Sequence, residues 1–229
     1  MKSGKLIIAI DGPGAAGKST VAKKLALKLN FTYIDTGAMY RCLALYALEN
    51  NIDIKDEDAL ANAADLIDIN LDPTGTIKLN GRVVTNDIRS IEVSKIVSPV
   101  SYPIKVRKIF VAKQQRLAEE SKSGVVMDGR DIGTVVLPHA DLKIYQMASL
   151  KVRAKRRYDE NVLKGIMTPY EEITKQIAER DYLDMNKSFG ALKKADDAIE
   201  FDTTNLTIDE AVDFIYNKAM ELLKWKVEL

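Results

Sequence analysis

The stretch "LIIAIDGPGAAGKST", Leu6 to Thr20, decides the fold. Its first part, Leu6–Ile10, is apolar and rich in β-branched residues, which predicts a short buried strand. From Lys18 to Leu29 apolar residues recur at four-residue spacing, which predicts an amphipathic helix. The turn between them fits the pattern G-x-x-x-x-G-K-[ST]. A strand, a glycine-rich turn and a helix in this order predict a site for the phosphates of a nucleotide.

The turn has the residue types that a nucleoside triphosphate requires. Its glycines allow backbone N–H groups to surround phosphate oxygens, and the following helix adds its positive N-terminal end. Lys18 is expected to reach the β- and γ-phosphates, and the Ser19 hydroxyl to bind Mg²⁺. The predicted ATP-binding residues of the turn are Gly12, Pro13, Gly14, Ala15, Ala16, Gly17, Lys18, Ser19 and Thr20. The same loop serves switches, motors and small-molecule kinases, so it does not decide the reaction.

Strands and helices alternate along the rest of the chain. Further strands are predicted at Phe31–Asp35, Val125–Asp128, Leu142–Ala148 and Ala198–Thr204, and further helices at Gly37–Asn51, Pro99–Glu120, Lys151–Leu163, Glu171–Leu183 and Ile208–Lys224. This alternation predicts a three-layer α/β/α fold with a mainly parallel sheet. Between Asp72 and Thr85 the pattern changes to short alternating runs, with a turn at Pro73–Gly75 and an Asn80–Gly81 pair. These features predict an inserted β-hairpin.

The composition excludes several classes of protein. The 229 residues include 34 basic and 33 acidic side chains, a net charge of +1, which disfavours a nucleic-acid partner. A single cysteine, Cys42, excludes a disulfide within the chain, and a single histidine, His139, excludes a multi-histidine metal site. The apolar run at Leu6–Ile10 is too short for a signal peptide or a membrane span. We therefore expect a cytoplasmic protein with no membrane partner.

Two more polar groups follow predicted strands. "DTGAMYR", Asp35–Arg41, follows the second strand, and "MDGRDIGTVV", Met127–Val136, ends a buried strand. Ligands of open α/β sheets bind at the carboxyl ends of the strands, so both groups should lie near the phosphate loop. Asp128 is placed where an acid can orient Mg²⁺ through a water molecule, although a cap or turn residue is the alternative.

Two helices have charged faces. Arg153, Arg156 and Arg157 lie at i, i+3 and i+4 of a basic helix, and such arginines on a mobile lid can clamp a transferring phosphoryl group. A solvated basic face is the alternative. Arg180, Asp184 and Lys187 share one face of the next helix, where ordinary surface ion pairs are the alternative.

Together these segments resemble the bacterial cytidylate kinases, a family of P-loop nucleoside monophosphate kinases. The matching segments are "IDGPGAAGKST", "YIDTGAMYR", "VVMDGRDIGTVV", "RAKRRYDE", "RDYLDMN" and "KADDAIEFDTT", and the resemblance covers about residues 5 to 220, including the β-rich insertion. It implies transfer of the γ-phosphoryl group of ATP to CMP or dCMP, with Mg²⁺ as cofactor. It also implies a monomer.

The resemblance assigns roles by position. Arg41, Arg130 and Lys187 would hold the acceptor phosphate, with a lysine at 187 where the family usually has arginine. Thr36 would lie near the acceptor, and Arg180 and Asp184 near its sugar. Ser98, Arg107 and Asp131 would read the base. The residues expected to act in catalysis are Lys18, Arg130, Arg153 and Arg157, the last also contacting ATP.

The base-reading residues suit the chemistry of cytosine. Cytosine presents an N4 amino donor beside the N3 and O2 acceptors. Asp131 and Ser98 can accept from the amine, and Arg107 can donate to N3 or O2. Uracil has a carbonyl at C4, so Asp131 would face an acceptor, at a cost of about 1–3 kcal/mol. Each assignment has an alternative, since Ser98 before Pro99 could cap a helix and Arg107 could be a surface charge.

The resemblance also implies a division of the chain. Residues 1–229 would form a single P-loop kinase unit with a core of residues 1–35, 111–150 and 166–229. An acceptor-binding region would span residues 36–110, and a helical lid residues 151–165. Two alternatives stay open: a P-loop kinase for another acceptor, such as UMP, AMP or shikimate, and a nucleotide-binding switch or regulator. A GTPase switch is disfavoured because the segment Asn186–Phe189 lacks the acid of a guanine-reading motif.

Overall fold

A computed structural model describes residues 5–72 and 75–228 of the chain. The chain divides into two compact units. The first, here called the P-loop unit, comprises Met1–Tyr33 and Lys122–Leu229. The second unit is Ile34–Ser121. In chain order the elements are β1 (Ile7–Asp11), α1 (Lys18–Leu29), β2 (Thr32–Asp35), α2 (Thr36–Glu49), α3 (Glu57–Leu66), β3 (Ile69–Leu71), β4 (Ile77–Leu79), β5 (Arg82–Val83), α4 (Ile91–Ser101), α5 (Ile104–Glu120), β6 (Val125–Gly129), β7 (Leu142–Met147), α6 (Leu150–Leu163), α7 (Tyr170–Asn186), β8 (Ile199–Asp202) and α8 (Ile208–Glu228).

A five-stranded sheet with the strand order β2-β6-β1-β7-β8 forms the centre of the α/β fold. β1 pairs in parallel with β6 on one side and with β7 on the other, and β7 pairs in parallel with β8. Ile8 and Ile10 of β1 are fully buried, as are side chains of α1 and α8 that pack with them. Burial on both faces explains why β1 reads as an unbroken apolar run. The predicted α/β class with a mainly parallel sheet is confirmed.

The second unit contains helices and a small antiparallel sheet of the order β3-β4-β5. Asn80 and Gly81 join β4 to β5 with φ of 48° and 81°, the positive values of a tight hairpin turn. The predicted hairpin is therefore confirmed, and β3 adds a strand that the sequence analysis did not predict. Of the predicted turn at Pro73–Gly75, Pro73 and Thr74 lie outside the described residues.

The prediction of one helix from Pro99 to Glu120 is wrong. α4 begins earlier, where the Ser90 hydroxyl accepts a hydrogen bond from the Val93 N–H at 3.3 Å. The chain breaks at Pro103, which has extended backbone angles and no N–H to continue a helix. The carbonyl of Pro103 then accepts from the Arg107 N–H at 3.0 Å as α5 begins. Ser98 therefore lies inside α4 and does not cap a helix.

The core of the second unit is aliphatic around one aromatic pair. Phe110 of α5 is fully buried, and its ring meets that of Tyr40 of α2 edge-on, with centroids 4.9 Å apart. Buried side chains of α3 and α4 complete the same cluster. This unit has its own hydrophobic core, which positions the side chains of α2, α4 and α5.

Candidate active site

The phosphate loop begins at the end of β1 and leads into α1. Gly12 has a φ of 149°, and a Cβ there would lie 1.9 Å from the backbone oxygen of Gln146. Gly17 has a φ of 88° directly before α1. From β7, the Gln146 side-chain amide donates to the Ala16 carbonyl at 2.8 Å. Glycine is thus required at Gly12 by space and at Gly17 by backbone conformation, as the motif predicts.

Lys18 is the first residue of α1, and its side chain is folded along the loop. Its Nζ donates to the Pro13 carbonyl at 2.8 Å, and the residue is only 5% exposed. Burial, together with the charge of Arg130, lowers the pKa of Lys18 from its usual value. The lysine is therefore a desolvated amine, whose charged form an anionic ligand would stabilise.

Asp128 receives two hydroxyl groups. The Ser19 Oγ donates to one carboxylate oxygen and the Tyr33 hydroxyl to the other, each at 2.8 Å. Asp128 is buried near the end of β6, next to β1 in the sheet. A serine hydroxyl beside a carboxylate is the hard oxygen donor set that Mg²⁺ prefers, so the residues present fit this metal.

Asp11, the last residue of β1, also has a buried carboxylate. It accepts from the backbone N–H groups of Ile132 and Gly133, each at 2.7 Å. Both donors belong to a wide, π-helical turn at Ile132–Val136 that follows β6. Burial raises the pKa of Asp11 to about 6, although the two N–H groups act in the opposite direction.

Arg130, Arg180 and Lys187 surround the carboxylate of Asp184. Arg130 Nε donates to Asp184 Oδ2 at 2.8 Å, while Lys187 Nζ and Arg180 Nε lie 3.9 and 4.0 Å from the carboxylate. Burial opposes ionisation of Asp184, but these three cations outweigh it and lower its pKa. Arg130 also lies beside the phosphate loop, since a Cβ at Gly14 would be 3.5 Å from its Nη2. Three cations therefore surround one carboxylate beside the loop.

The arginines of α6 contact the loop as well. Arg153 is buried, donates to the Gly14 carbonyl at 3.2 Å and forms an ion pair with Asp181 at 2.6 Å. Arg156 donates to the carbonyls of Ala16 and Thr203, each at 3.0 Å. The helix is thus linked to the phosphate loop through two guanidinium groups.

A cleft of about 280 Å³ opens beside the loop. Ala15, Gly17 and Thr20 line one part of it, and Thr203 and Ile208 another. Arg156 and Arg157 of α6 also line the cleft. Arg157 has its Nε 3.4 Å from Glu160, so Arg157 is directed along its own helix.

The second unit positions four more of the predicted residues. Thr36 is buried at the start of α2, and Arg41 on the same helix donates to the Ile88 carbonyl at 3.2 Å and to the Ser94 hydroxyl at 3.1 Å. Arg107 is buried, with its guanidinium 5.6 Å from the centre of the Tyr40 ring. Ser98 is partly exposed on α4. Arg107 is therefore not the surface charge that the alternative supposed.

Within the P-loop unit the structure brings the predicted residues together in two groups. Lys18, Ser19 and Asp128 lie at the loop, and Arg130, Asp184 and Lys187 form the neighbouring cationic group. Asp131 is buried directly after Arg130. The sequence analysis did not assign roles to Asp11, Tyr33, Gln146 or Asp181, nor a separate role to Arg156. Arg156 had a signal, its place three residues after Arg153, whereas the partners of Tyr33 and Gln146 are distant in sequence.

The sheet order, the glycine-rich loop at the end of β1 and the cations around it define a P-loop kinase fold. A gluconokinase from Sinorhizobium meliloti 1021 is similar in fold, with a TM-score of 0.51 and 14% identity over 97% of this chain and 96% of that chain. The family model of cytidylate kinase matches residues 8–221. The chain belongs to the cytidylate kinase family.

Two curated relatives agree with this family. A cytidylate kinase of Anoxybacillus flavithermus is 51% identical over 214 residues, 92% of this chain and 94% of the relative. A cytidylate kinase of Listeria monocytogenes is 48% identical over 225 residues, 97% of this chain and 98% of the relative. Throughout residues 5–72 and 75–228, no helix has the length and apolar character needed to cross a membrane.

Proposed function

We propose that this enzyme transfers the γ-phosphoryl group of ATP to CMP or dCMP, producing ADP and CDP or dCDP. One observation carries the proposal: a cationic group, in which the partly exposed Arg130, Lys187 and Arg180 surround the buried Asp184 carboxylate, lies beside the phosphate loop. A switch that binds one nucleotide needs only the loop. Two adjacent anion sites suit transfer between two anionic ligands.

The phosphate loop and α6 are the proposed donor site. Lys18 and the backbone N–H groups of Gly12–Ser19 hold the β- and γ-phosphates. Ser19, together with Asp128 through a water molecule, would hold Mg²⁺, which neutralises phosphate charge when bound. The cleft lined by Arg156, Arg157 and Thr203 has room beside the loop for the remainder of the nucleotide. Arg153 and Arg157 are proposed to stabilise the charge of the transferring phosphoryl group.

The acceptor phosphate is assigned to Arg130, Lys187 and Arg41. Asp184 holds Arg130 in place through a 2.8 Å hydrogen bond and is itself ionised by its cationic neighbours. Lys187 contributes a point charge where an arginine would offer a bidentate fork. Arg180 and Asp184 are assigned to the sugar, and Thr36 to the vicinity of the acceptor. Phosphoryl transfer to a phosphate oxygen then depends mainly on positioning and charge neutralisation.

Recognition of cytosine is assigned to Asp131, Ser98 and Arg107. Asp131 is 4% exposed within the P-loop unit and Arg107 is 3% exposed within the second unit, so the polar groups of both side chains are shielded from water. A mismatched base would leave such groups unpaired. This argument supports a preference for CMP over UMP.

The experiment that tests this assignment measures kcat/KM for CMP and for UMP in Asp131→Asn and in the unchanged enzyme. An amide in place of the carboxylate offers a donor to the uracil C4 carbonyl and loses one acceptor for the cytosine amine. The CMP/UMP ratio of kcat/KM should fall by roughly 10- to 100-fold. An unchanged ratio would remove Asp131 from base recognition and leave the kinase activity itself in place.

We further propose a monomeric cytoplasmic enzyme, active as the single kinase unit of residues 1–229. The acceptor-binding region would span residues 36–110, and residues 151–165 would act as the lid that excludes water. The near-neutral net charge and single cysteine support this setting. Light scattering after size exclusion should give the mass of one 25.5 kDa chain, and a dimer mass would contradict the monomer.

A further inference from the structure

We infer that Asp11 is a positioning residue, which holds the acceptor-side turn after β6 in a fixed place relative to the phosphate loop. The turn follows Arg130 and Asp131, so the inference rests on the roles proposed for those two residues. Asp11 itself has no assigned contact with either substrate.

The place of Asp11 in the chain links two functional segments. It is the last residue of β1 and directly precedes Gly12, where the phosphate loop begins. In the parallel pairing of β1 with β6, Asp11 lies opposite Gly129, directly before Arg130. The two loops therefore leave the same edge of the sheet side by side, and Asp11 stands at the base of both.

The Asp11 carboxylate is fully used in holding the turn. One oxygen accepts from the Ile132 N–H and the other from the Gly133 N–H, each at 2.7 Å, and the residue is 5% exposed. The first N–H groups of a helical turn have no partner inside the turn. Within the turn, the Asp131 carbonyl accepts from the N–H groups of Val135 and Val136. Asp11 thus accepts the hydrogen bonds of the Ile132 and Gly133 N–H groups, which have no acceptor within the turn. These two residues directly follow Asp131, the proposed base-reading residue.

A second contact fixes the turn from β7. A Cβ at Gly133 would lie 3.1 Å from Lys143 Cδ and 3.4 Å from Asp11 Oδ2. Lys143 is buried and immobilised by hydrogen bonds to the Pro138 carbonyl at 2.6 Å and to Asp197 at 2.9 Å. The turn is therefore held between a carboxylate and a lysine stem, with little room to shift.

Asp11→Asn tests the inference because an amide keeps one acceptor and turns the other into a donor facing an N–H. The KM for CMP should rise roughly tenfold, with a lower CMP/UMP ratio of kcat/KM, while the KM for ATP changes less than about twofold. Asp141→Asn is the matched control. The Asp141 carboxylate also accepts a hydrogen bond from a backbone N–H of β1, that of Ile7 at 2.8 Å. Ile7 is the first residue of β1, so this bond lies at the opposite end of the strand from Asp11. Asp141→Asn should leave both KM values unchanged.

Gly133→Ala provides a second perturbation of the same turn, and it is expected to raise the KM for CMP selectively even where Asp11→Asn folds poorly. Equal changes of the two KM values, or no change in either, in correctly folded variants would overturn the positioning role.

Asp131→Asn, measured alongside, separates the positioning role of Asp11 from the proposed base recognition by Asp131. If it lowers the CMP/UMP ratio while Asp11→Asn and Gly133→Ala leave the KM for CMP unchanged, the inference fails and the proposed base recognition stands. If only the Asp131 variant lacks an effect, base recognition fails and the selective rise in the KM for CMP still supports Asp11.

Discussion

Asp128 shows at the residue scale how a site is built from neighbouring strands. Ser19 comes from the phosphate loop and Tyr33 from β2, and each donates to one oxygen of this carboxylate. The two hydrogen bonds orient the carboxylate within a buried position. In the proposed Mg²⁺ site, the charge of Asp128 can be tested separately from the hydrogen bond that Tyr33 donates to it.

Asp128→Asn should lower kcat/KM for ATP by about 10- to 100-fold and raise the Mg²⁺ concentration needed for half-maximal activity. Tyr33→Phe is its matched control, because it removes one hydrogen bond to Asp128 and leaves the charge. That variant should lose less than about threefold. The measurement is a Mg²⁺ titration of the initial rate at fixed ATP. Equal effects of the two substitutions would argue against a metal-orienting role for the Asp128 charge.

At this scale the sequence predicts which residue types belong to the site, but it does not predict which side chains contact one another. The spacing of Gly12, Lys18 and Ser19 is local, so the loop was predictable from the motif. Arg130 and Asp184 are 54 residues apart in sequence, and no local pattern states that one contacts the other. The resemblance suggested that both lie near the acceptor, while only the fold shows the 2.8 Å hydrogen bond between them.

At the scale of elements, α6 is attached to the phosphate loop by its arginines. Arg153 and Arg156 donate to the carbonyls of Gly14 and Ala16, and Arg156 also reaches Thr203 after β8. By holding these carbonyls, the two guanidinium groups would favour an orientation of the loop in which its N–H groups face a bound phosphate. α6 would therefore shape the proposed donor site, in addition to the lid role proposed for its arginines.

Arg156→Ala should raise the KM for ATP roughly tenfold. The carbonyls of Ala16 and Thr203 would lose a charged hydrogen-bond donor, and the cleft would lose one of the side chains that line it. The KM for CMP should stay within about twofold. Lys155→Ala is the control on the same helix, since Lys155 is exposed and paired only with Asp159 among the ion pairs of the described chain. Initial rates with each substrate varied in turn provide the comparison. A larger rise for CMP than for ATP would contradict the donor-side role.

The predicted bounds of a helix match the observed ones where the capping residues and the apolar periodicity indicate the same ends. α1 begins and ends where its apolar spacing and Asn30, in the left-handed conformation, place it. The long helix predicted from Pro99 failed because Ser90, which starts α4, and Pro103, which separates α4 from α5, were both overlooked. β3 was missed because three residues of alternating burial are too few for a periodic signal.

At the scale of the whole molecule, buried charges make stability depend on pH. The pKa of Asp11 is raised to about 6 by burial, above the value near 3.9 of an exposed aspartate. Between about pH 4 and pH 6 the folded chain therefore binds more protons than the unfolded chain at this residue. The contribution of Asp11 to stability is present below that window and is lost as pH rises through it.

The difference in free energy of unfolding between the unchanged protein and Asp11→Asn should fall by about 2 kcal/mol from pH 4 to pH 7. The asparagine has no such titration, so subtracting the variant cancels the other carboxylates. Urea unfolding followed by circular dichroism at several pH values gives both curves. A difference that is independent of pH would mean that Asp11 is ionised with an ordinary pKa in the folded state.

The central claim concerns the reaction, and ADP formation from Mg·ATP with separate acceptors tests it most directly. The acceptors are CMP, dCMP, UMP, AMP and shikimate, with a control lacking acceptor. We expect fast turnover with CMP and dCMP, much slower turnover with UMP, and almost none with the others. Fast turnover with another acceptor would contradict the base-reading roles of Asp131, Ser98 and Arg107, and slow hydrolysis independent of acceptor would contradict phosphoryl transfer itself.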